Sequence, residues 1–345
     1  MSRPVAIVLR ALGLGDFLAG IPALKMVRRA LPAHEIVLVA PEVLAPLVSL
    51  VSEVDSHYAR GELEPLTGYG RVIDIGIDLH GNGPASRRLL QELNPRRMLG
   101  FADPVAGLTG PRWRPDEHEV TRWCRLVAKG FSLPSQGSGS AAWPVVPGSL
   151  TLPEESTDVA GGTTVVHPGA AAGSRRWPPD RFAAVAAALA DCGHRVVVTG
   201  GGAEAGLAAH ISRTAGVQSL TGLSLSQLAR LIGSARLVIC GDTGIAHLAS
   251  AYSTPSVLLF GPVSPKLWGP PADRRHTVLW HGDGTGDPHG AEPDPALLEI
   301  TVGEVLEAVA RTERRAGPVA PARFGGRGEE SDQFAGSGRW CPTDG

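Results

Sequence analysis

The sequence predicts an α/β protein of two Rossmann-like βαβ domains facing each other across a cleft. Three observations carry this expectation. Apolar runs of strand length recur without internal alternation, as in PVAIVLR (4–10) and EIVLVAP (35–41). Strands apolar on both faces belong in parallel sheets covered by helices on either side. Most of these runs end in a glycine-bearing turn and pass into a helical stretch, the βα rhythm of a doubly wound sheet. The rhythm is interrupted once, at residues 132–162, by a Gly-, Ser- and Pro-rich stretch near the middle of the 345 residues. A chain of that length favours two domains over one. The expected division is 1–155 and 156–312, with 313–345 as a disordered tail.

Each element follows from its residues. PVAIVLR is the first strand, ALGLGD its turn, and FLAGIPALKMVRRALP (17–32) the first helix, where Leu24, Val27 and Leu31 recur at helical spacing and Pro32 ends the run. EIVLVAP completes a βαβ unit. RVIDIGIDL (71–79) is a further strand, followed by the polar turn HGNGPAS and a helix from Arg87; HEVTRWCRLVAKGF (118–131) is an amphipathic helix. The second series opens with the strand TTVVHPG (163–169) and the alanine-rich helix DRFAAVAAALADCG (180–193). HRVVVTGGG (194–202) is strand and glycine turn, SLSQLARLIGSA (224–235) helix, and RLVICGDTG (236–244) strand and turn. IAHLASAYS (245–253) is helix, SVLLFGP (256–262) strand, and TVGEVLEAVART (301–312) a closing helix.

Composition narrows the function classes. Hydrophobic residues at 43% and charged residues at 19% exclude global disorder. A net charge of −2 gives no basic field for nucleic acid, so none is expected as a partner. Of the 32 basic residues only Lys25, Lys129 and Lys266 are lysine, an arginine bias typical of GC-rich bacterial genomes. Cys124, Cys192, Cys240 and Cys341 are scattered with no CxxC pair, which fits a reducing compartment and neither a zinc knuckle nor a disulfide scaffold. Arg10 and Asp16 interrupt the N-terminal apolar run, too early for a signal peptide, and no window approaches 18 uninterrupted apolar residues. The expectation is a soluble cytoplasmic protein without a transmembrane segment, with peripheral membrane contact left open.

Five strand-end turns carry candidate chemistry. Gly13-Leu14-Gly15-Asp16 is not a dinucleotide fingerprint, since Leu18 stands where its third glycine belongs, and it lacks the GK[ST] of a phosphate loop. Asp16 has two compatible readings: a helix N-cap, and a carboxylate at a strand's C-terminal end able to take a proton from an incoming hydroxyl. A nearby helix N-terminus would depress its pKa and make it a weak base. In the stretch from His167 to Pro178, Gly169 and Gly173 admit backbone N–H groups to an anion, and Arg175 and Arg176 can clasp phosphate oxygens. It reads equally as an ordinary βα loop with solvated charges. The run Cys240 to His247 opens a helix with small residues and free N–H donors, a ready phosphate site. There Thr243 and His247 share a helix face, and His247 is as readily structural. Asp242 repels phosphate, so it reads as a cap or a sugar-hydroxyl acceptor. Gly200-Gly201-Gly202 and Gly261-Pro262 are tight turns singly; four glycine turns in one domain point to a nucleotide diphosphate. His281, Asp283, Asp287 and His289 match no metal-ligand spacing, and no metal is expected. Asn82, Ser86, Arg87 and Arg88 read either as an acceptor contact or as a solvated helix start.

At these residues the chain resembles glycosyltransferase family 9, the lipopolysaccharide heptosyltransferase family. RALGLGDFLAGIPALKMVRRALP, HPGAAAGSRRWPPDRFAAVAAAL, VVVTGGGAE and GDTGIAHLASAYSTPSVLLFGPVSP carry the likeness, with LLEITVGEVLEAV as the closing segment. It extends over roughly residues 3–312 and is most specific from Asp242 to Pro265. The resemblance implies a GT-B fold with the acceptor in the N-terminal domain and a nucleotide-sugar donor in the C-terminal one. It implies inverting, metal-independent transfer, typically of heptose from an ADP-sugar co-substrate, to a glycan, lipid-linked or small-metabolite hydroxyl, with no other cofactor. Asp16 falls on the family's catalytic-base position, and Asp242, Thr243, Gly244 and His247 on its donor-binding turn. His167, Gly169, Arg176, Gly201 and Gly261 complete the expected donor site, and Asn82 and Arg87 the acceptor side. Where the family usually carries lysine before the Trp-Pro pair, this chain has Arg175 and Arg176, so a guanidinium fork replaces a point charge against the leaving diphosphate. A nucleotide-sugar-binding protein without transfer activity and a nucleotide-sugar epimerase of GT-B-like fold are the alternatives.

Overall fold

The computed structural model describes residues 3–134, 150 and 161–316. It divides into two compact units: Met1–Pro153 with Ser250–Tyr252 and Lys266–Pro271, and Glu154–Ala249 with Ser253–Pro265 and Ala272–Gly345. The expected boundary between 155 and 156 lies outside the described residues; of the expected disordered tail 313–345, residues 313–316 are instead the last turn of a helix and the rest lies outside the described residues.

The first unit holds the strands β1 (Val5–Leu9), β2 (Glu35–Ala40), β3 (Ser56–Ala59), β4 (Ile75–Asp78) and β5 (Arg97–Leu99), with helices α1 (Leu14–Ala30), α2 (Ala45–Val48), α3 (Pro84–Glu92) and α4 (Glu119–Gly130). The sheet is parallel throughout, in the order β3-β2-β1-β4-β5. β1 is buried along its whole length, and Val5, Ile7 and Leu9 pack with Val37, Val39 and Leu90 in the core. This is why its apolar run does not alternate. The chain leaves β1 for β2 on one side and returns to β4 on the other, so the crevice at the carboxyl ends of β1 and β4 is the topological switch point.

The second unit repeats the plan with β6 (Thr164–His167), β7 (Val196–Gly200), β8 (Gln218–Thr221), β9 (Leu237–Gly241), β10 (Ser256–Leu259) and β11 (His276–Leu279). Its helices are α5 (Pro179–Asp191), α6 (Ala205–Ala215), α7 (Leu225–Gly233), α8 (Gly244–Tyr252), α9 (Pro265–Trp268), α10 (Pro295–Glu299) and α11 (Val302–Ala316). The strand order is β11-β10-β9-β6-β7-β8, again all parallel. The switch point lies between β6 and β9, where His167 pairs with Cys240. Because the strands run the same way, the turns after β6, β7, β9 and β10 emerge along one sheet edge. Trp177 and Phe182 meet edge to face at 5.0 Å between centroids and fill the core against Val166, Val198, Ile239 and Leu259.

Two parallel sheets, each wound as expected, bear out the α/β reading. The differences are local. α3 starts at Pro84 rather than Arg87, because Gly83 is extended at the N-cap and proline suits the first turn. α1 already starts at Leu14 and accommodates Pro22 within it. α11 runs past Thr312 to Ala316. Among the described residues no helix is long and apolar enough to cross a membrane.

One close approach holds the first unit together. A Cβ at Gly20, on α1, would lie 2.7 Å from Cδ and Nε of Arg10, a side chain only 1% exposed. Arg10 is held by several contacts and cannot swing aside, so Gly20→Ala is expected to destabilise the protein by about 1–3 kcal/mol. Gly206 in α6 has open space around its missing Cβ, and Gly206→Ala is expected to stabilise by about 0.5–1 kcal/mol. Urea denaturation of the two variants beside the parent checks both signs.

Candidate functional site

Arg10 follows β1 directly and organises the switch point of the first unit. Its Nε donates to the backbone carbonyl of Asp16 and its Nη1 to that of Leu79, beyond β4. Its Nη2 donates to Oε1 of Glu119 at 3.2 Å and lies 3.6 Å from Oδ1 of Asp16. The guanidinium sits 4.9 Å from the ring centre of Trp123, whose Nε1 donates to the same Glu119 oxygen at 2.6 Å. Arg122 pairs with Oε2 of Glu119.

Asp16 is therefore not a helix cap: Gly13 holds the N-cap position, and Asp16 stands in the first turn of α1. Nor is its pKa depressed, as its place near a helix N-terminus suggested. Burial raises its pKa above the ordinary aspartate value, Arg10 opposes, and Glu119 and Glu62 add to the rise. With its side chain 30% exposed, the carboxylate remains within reach of a substrate. Nearby, Asp78 ends β4 and accepts from Ser86 Oγ at 2.8 Å and from the backbone N–H of His80 at 3.0 Å. Burial, then the charge of Arg10, lowers the pKa of His80.

The acceptor candidates separate. Arg87 is buried, not a solvated helix-start residue; it pairs with Asp103 and donates through Nη2 to Asn82 Oδ1 at 2.7 Å. Asn82 is exposed and Arg87 braces it from behind.

In the second unit, His167 at the end of β6 is buried, with Nδ1 3.0 Å from Thr199 Oγ1 and Nε2 3.9 Å from Glu204 Oε2. Burial pulls its pKa down against the pull of Glu204. Glu204, which sequence reasoning passed over, is the hub of this corner. Its Oε2 accepts from the Gly201 N–H at 2.9 Å, and a Cβ at Gly169 would lie 2.1 Å from its Oε1. The Glu204 carboxylate occupies the space beside Gly169. The available signal was the spacing Gly201-x-x-Glu204, half of a capping box.

The arginine loop is built from below. Ser174 N–H donates to Gly290 O at 2.9 Å, Asp294 N–H to Ser174 O at 3.2 Å, and a Cβ at Gly173 would lie 1.6 Å from Ala291 O. Trp177 anchors the far end, its Nε1 donating to Ile300 O at 3.0 Å. Arg175 then reaches Asp242: Nη1 is 3.4 Å from its backbone carbonyl and 3.9 Å from Oδ2. Arg175 Nε is buried with no hydrogen-bond partner among the described residues. Arg176 is not part of this convergence; it is exposed and its Nε donates to Ala170 O at 2.9 Å.

Asp242 is buried, and burial pushes its carboxyl up to about 6 against the opposing charge of Arg175. The cap of α8 is Thr243, whose Oγ1 accepts from the Ile245 N–H at 3.2 Å. Thr243, Gly244 and His247 are partly exposed along one side of this helix start. Gly261 is packed tightly, 3.0 Å separating its would-be Cβ from Leu297 Cβ, and its carbonyl accepts from Trp280 Nε1 at 3.0 Å. In the loop 281–295, His281 bonds Glu304 at 2.8 Å, Asp283 accepts from Thr285 and Asp287 from the His289 N–H. Among the described residues no three His, Cys, Asp or Glu are grouped to hold a metal ion.

Comparison with known proteins gives these sites a setting. The family model for glycosyltransferase family 9 (heptosyltransferase) matches residues 111–289. Asp16 lies outside that match. Lipopolysaccharide heptosyltransferase 2 of Escherichia coli K12 is 33% identical over 154 residues, 41% of this chain and 43% of that protein. Lipopolysaccharide heptosyltransferase 1 of the same strain is 30% identical over 158 residues, 44% of this chain and 47% of that protein. The chain thus spans less than half the length of the curated relatives it matches. The solved E. coli ADP-heptose lipopolysaccharide heptosyltransferase II has a TM-score of 0.73 at 21% identity, covering 91% of this chain and 100% of that one. That likeness speaks to the fold. A family model covering more than half of the chain, on a fold shared with a solved heptosyltransferase, shows that the chain belongs to glycosyltransferase family 9, the heptosyltransferase family.

Proposed function

We infer that this chain is an inverting, metal-independent glycosyltransferase that moves a heptose from an ADP-sugar to a hydroxyl of a glycan, lipid-linked or small-metabolite acceptor. The observation that carries transfer, beyond nucleotide binding, is Asp16: a reachable carboxylate at a sheet's switch point, its proton affinity raised by burial. The relatives' names support the donor, one being an ADP-heptose heptosyltransferase. Buried free thiols at Cys124 and Cys240 suit a reducing cytoplasm.

In the proposed reaction the acceptor oxygen attacks the anomeric carbon as the bond to the diphosphate breaks, which inverts that centre. Asp16 takes the hydroxyl proton. The negative charge released onto the diphosphate is met by Arg175 and by the N–H groups that open α8, the roles a metal plays elsewhere. A preorganised donor of this kind is worth about 2.7–4 kcal/mol when removed. Thr243, Gly244 and His247 line the donor side, with His167, Gly169, Gly201 and Gly261 shaping the glycine turns, Arg176 bracing its loop, and Asn82 and Arg87 the acceptor side.

ADP-heptose at about 100 times its Kd is expected to raise the Tm by several degrees, and ADP release is expected to depend on an added acceptor. No thermal shift with any nucleotide sugar would sink the reading. Asp16→Asn is expected to keep the shift and lose about 10²–10⁴-fold in turnover. In the parent, kcat/KM should rise with pH through a limb that lies above the ordinary aspartate range, since Asp16 must be ionised to act.

Asp242 gives a stability prediction with a definite sign. Its carboxyl ionises at about 6 in the folded protein, against about 3.9 when unfolded. The folded state therefore holds more protons in that window, and stability falls as pH rises through it. Asp242→Asn removes the loss, so the variant should match the parent near pH 4 and exceed it above pH 6 by up to ~3 kcal/mol. Denaturant midpoints at the two pH values check this.

A further inference from the structure

Glu119 opens α4, and no motif singles it out. It is buried, and both of its oxygens are engaged: Oε1 accepts from Arg10 Nη2 and Trp123 Nε1, Oε2 from Arg122. The same Nη2 nitrogen lies 3.2 Å from Glu119 and 3.6 Å from Oδ1 of Asp16. Two carboxylates thus share the charge of one NH2 group of a guanidinium withdrawn from water, and Glu119 holds the closer contact.

We propose that Glu119 is a positioning residue for Asp16: it holds the Arg10 guanidinium back from the Asp16 carboxylate and leaves that carboxylate free to accept a proton. The catalytic consequence rests on the reading of Asp16 as base; the electrostatic one does not.

Charged groups face Asp16 from several elements. Arg10 comes from β1, Glu119 from α4 and Glu62 from the segment after β3, while His80, after β4, lies within the field of Arg10. Arg10 must be present, because its Nε fixes the Asp16 backbone carbonyl and its Nη1 the end of β4. Left alone beside Asp16, its charge would form a close ion pair and drag the carboxylate's proton affinity down. A carboxylate so paired is a poor general base. Glu119 offsets the charge without removing the scaffold. Gly20 completes the arrangement, since a side chain there would displace Arg10 from both partners.

Glu119→Gln separates charge from shape. The amide oxygen can still accept from Trp123 and Arg10, and Arg122 keeps the carbonyls of Arg114, Pro115 and Glu117. Arg10 then has only Asp16 to balance it. The titration of the Asp16 carboxyl carbon is followed by NMR in the full chain, assigned by its loss in Asp16→Asn. The expected midpoint in Glu119→Gln is lower by about one pH unit, a tenfold change in proton affinity. In Arg10→Gln it moves the other way, upward. General damage to packing would not produce shifts of opposite sign. An unmoved or raised midpoint in Glu119→Gln overturns the proposal, as does a lowered one in Arg10→Gln, and either variant decides alone if the other does not fold. With ADP-heptose and acceptor, Glu119→Gln should lower the acid limb of kcat and reduce plateau kcat several-fold, with donor KM unchanged. Opposite midpoint shifts without turnover in any form would uphold the role of Glu119 and count against the transferase reading instead.

Discussion

A guanidinium taken out of water costs stability to the extent that its N–H groups go unsatisfied and its charge unmet. In the first unit that constraint falls on Arg10. It draws the Asp16 carbonyl at the start of α1, the Leu79 carbonyl beyond β4 and the Glu119 carboxylate at the start of α4 to a single point. Gly20 and Trp123 then shape the walls around it. The candidate base inherits its position from this requirement: Asp16 is where it is because its own backbone carbonyl is one of the acceptors that Arg10 needs.

The second unit treats its cation in the opposite way. Arg175 stands 3.9 Å from its nearest carboxylate oxygen, that of Asp242, and its Nε has no partner among the described residues. The carboxylate facing it is itself reluctant to ionise, with burial holding it up at about 6. A loosely compensated guanidinium beside a helix N-terminus favours an added negative charge more than one already neutralised. The two units therefore use the same residue type for opposite ends, one arginine locked into structure and one held lightly at a sheet edge.

Much of this was legible in the sequence, and the part that was not has physical reasons. Central strands such as VAIVL and LVICG announce themselves because both faces are buried. The outer strands SHYA and QSLT are only partly buried or exposed, and they carry no apolar run to read. Asp16, Arg175 and Asp242 could be found from glycine turns at strand ends. The raised proton affinity of Asp16 could not, because it comes first from burial and then from the balance between Arg10 and Glu119, the latter a residue with no local signature that lies 109 positions from Arg10. Arg87 illustrates the converse: a polar helix start in the sequence becomes a buried brace once Asp103 and Asn82 close around it.

The segment beneath the arginine loop bears on how such a protein can diversify. Gly290, Ala291 and Asp294 form the floor on which residues 173–175 rest, with glycine required at 173 to admit the Ala291 carbonyl. The floor and the loop are separated by more than a hundred positions of chain. Substitutions in the floor can tilt the Arg175 guanidinium while the loop's own residues stay the same. On the proposed reading of Arg175, donor preference is open to change through a stretch that a comparison of loop motifs alone would pass over.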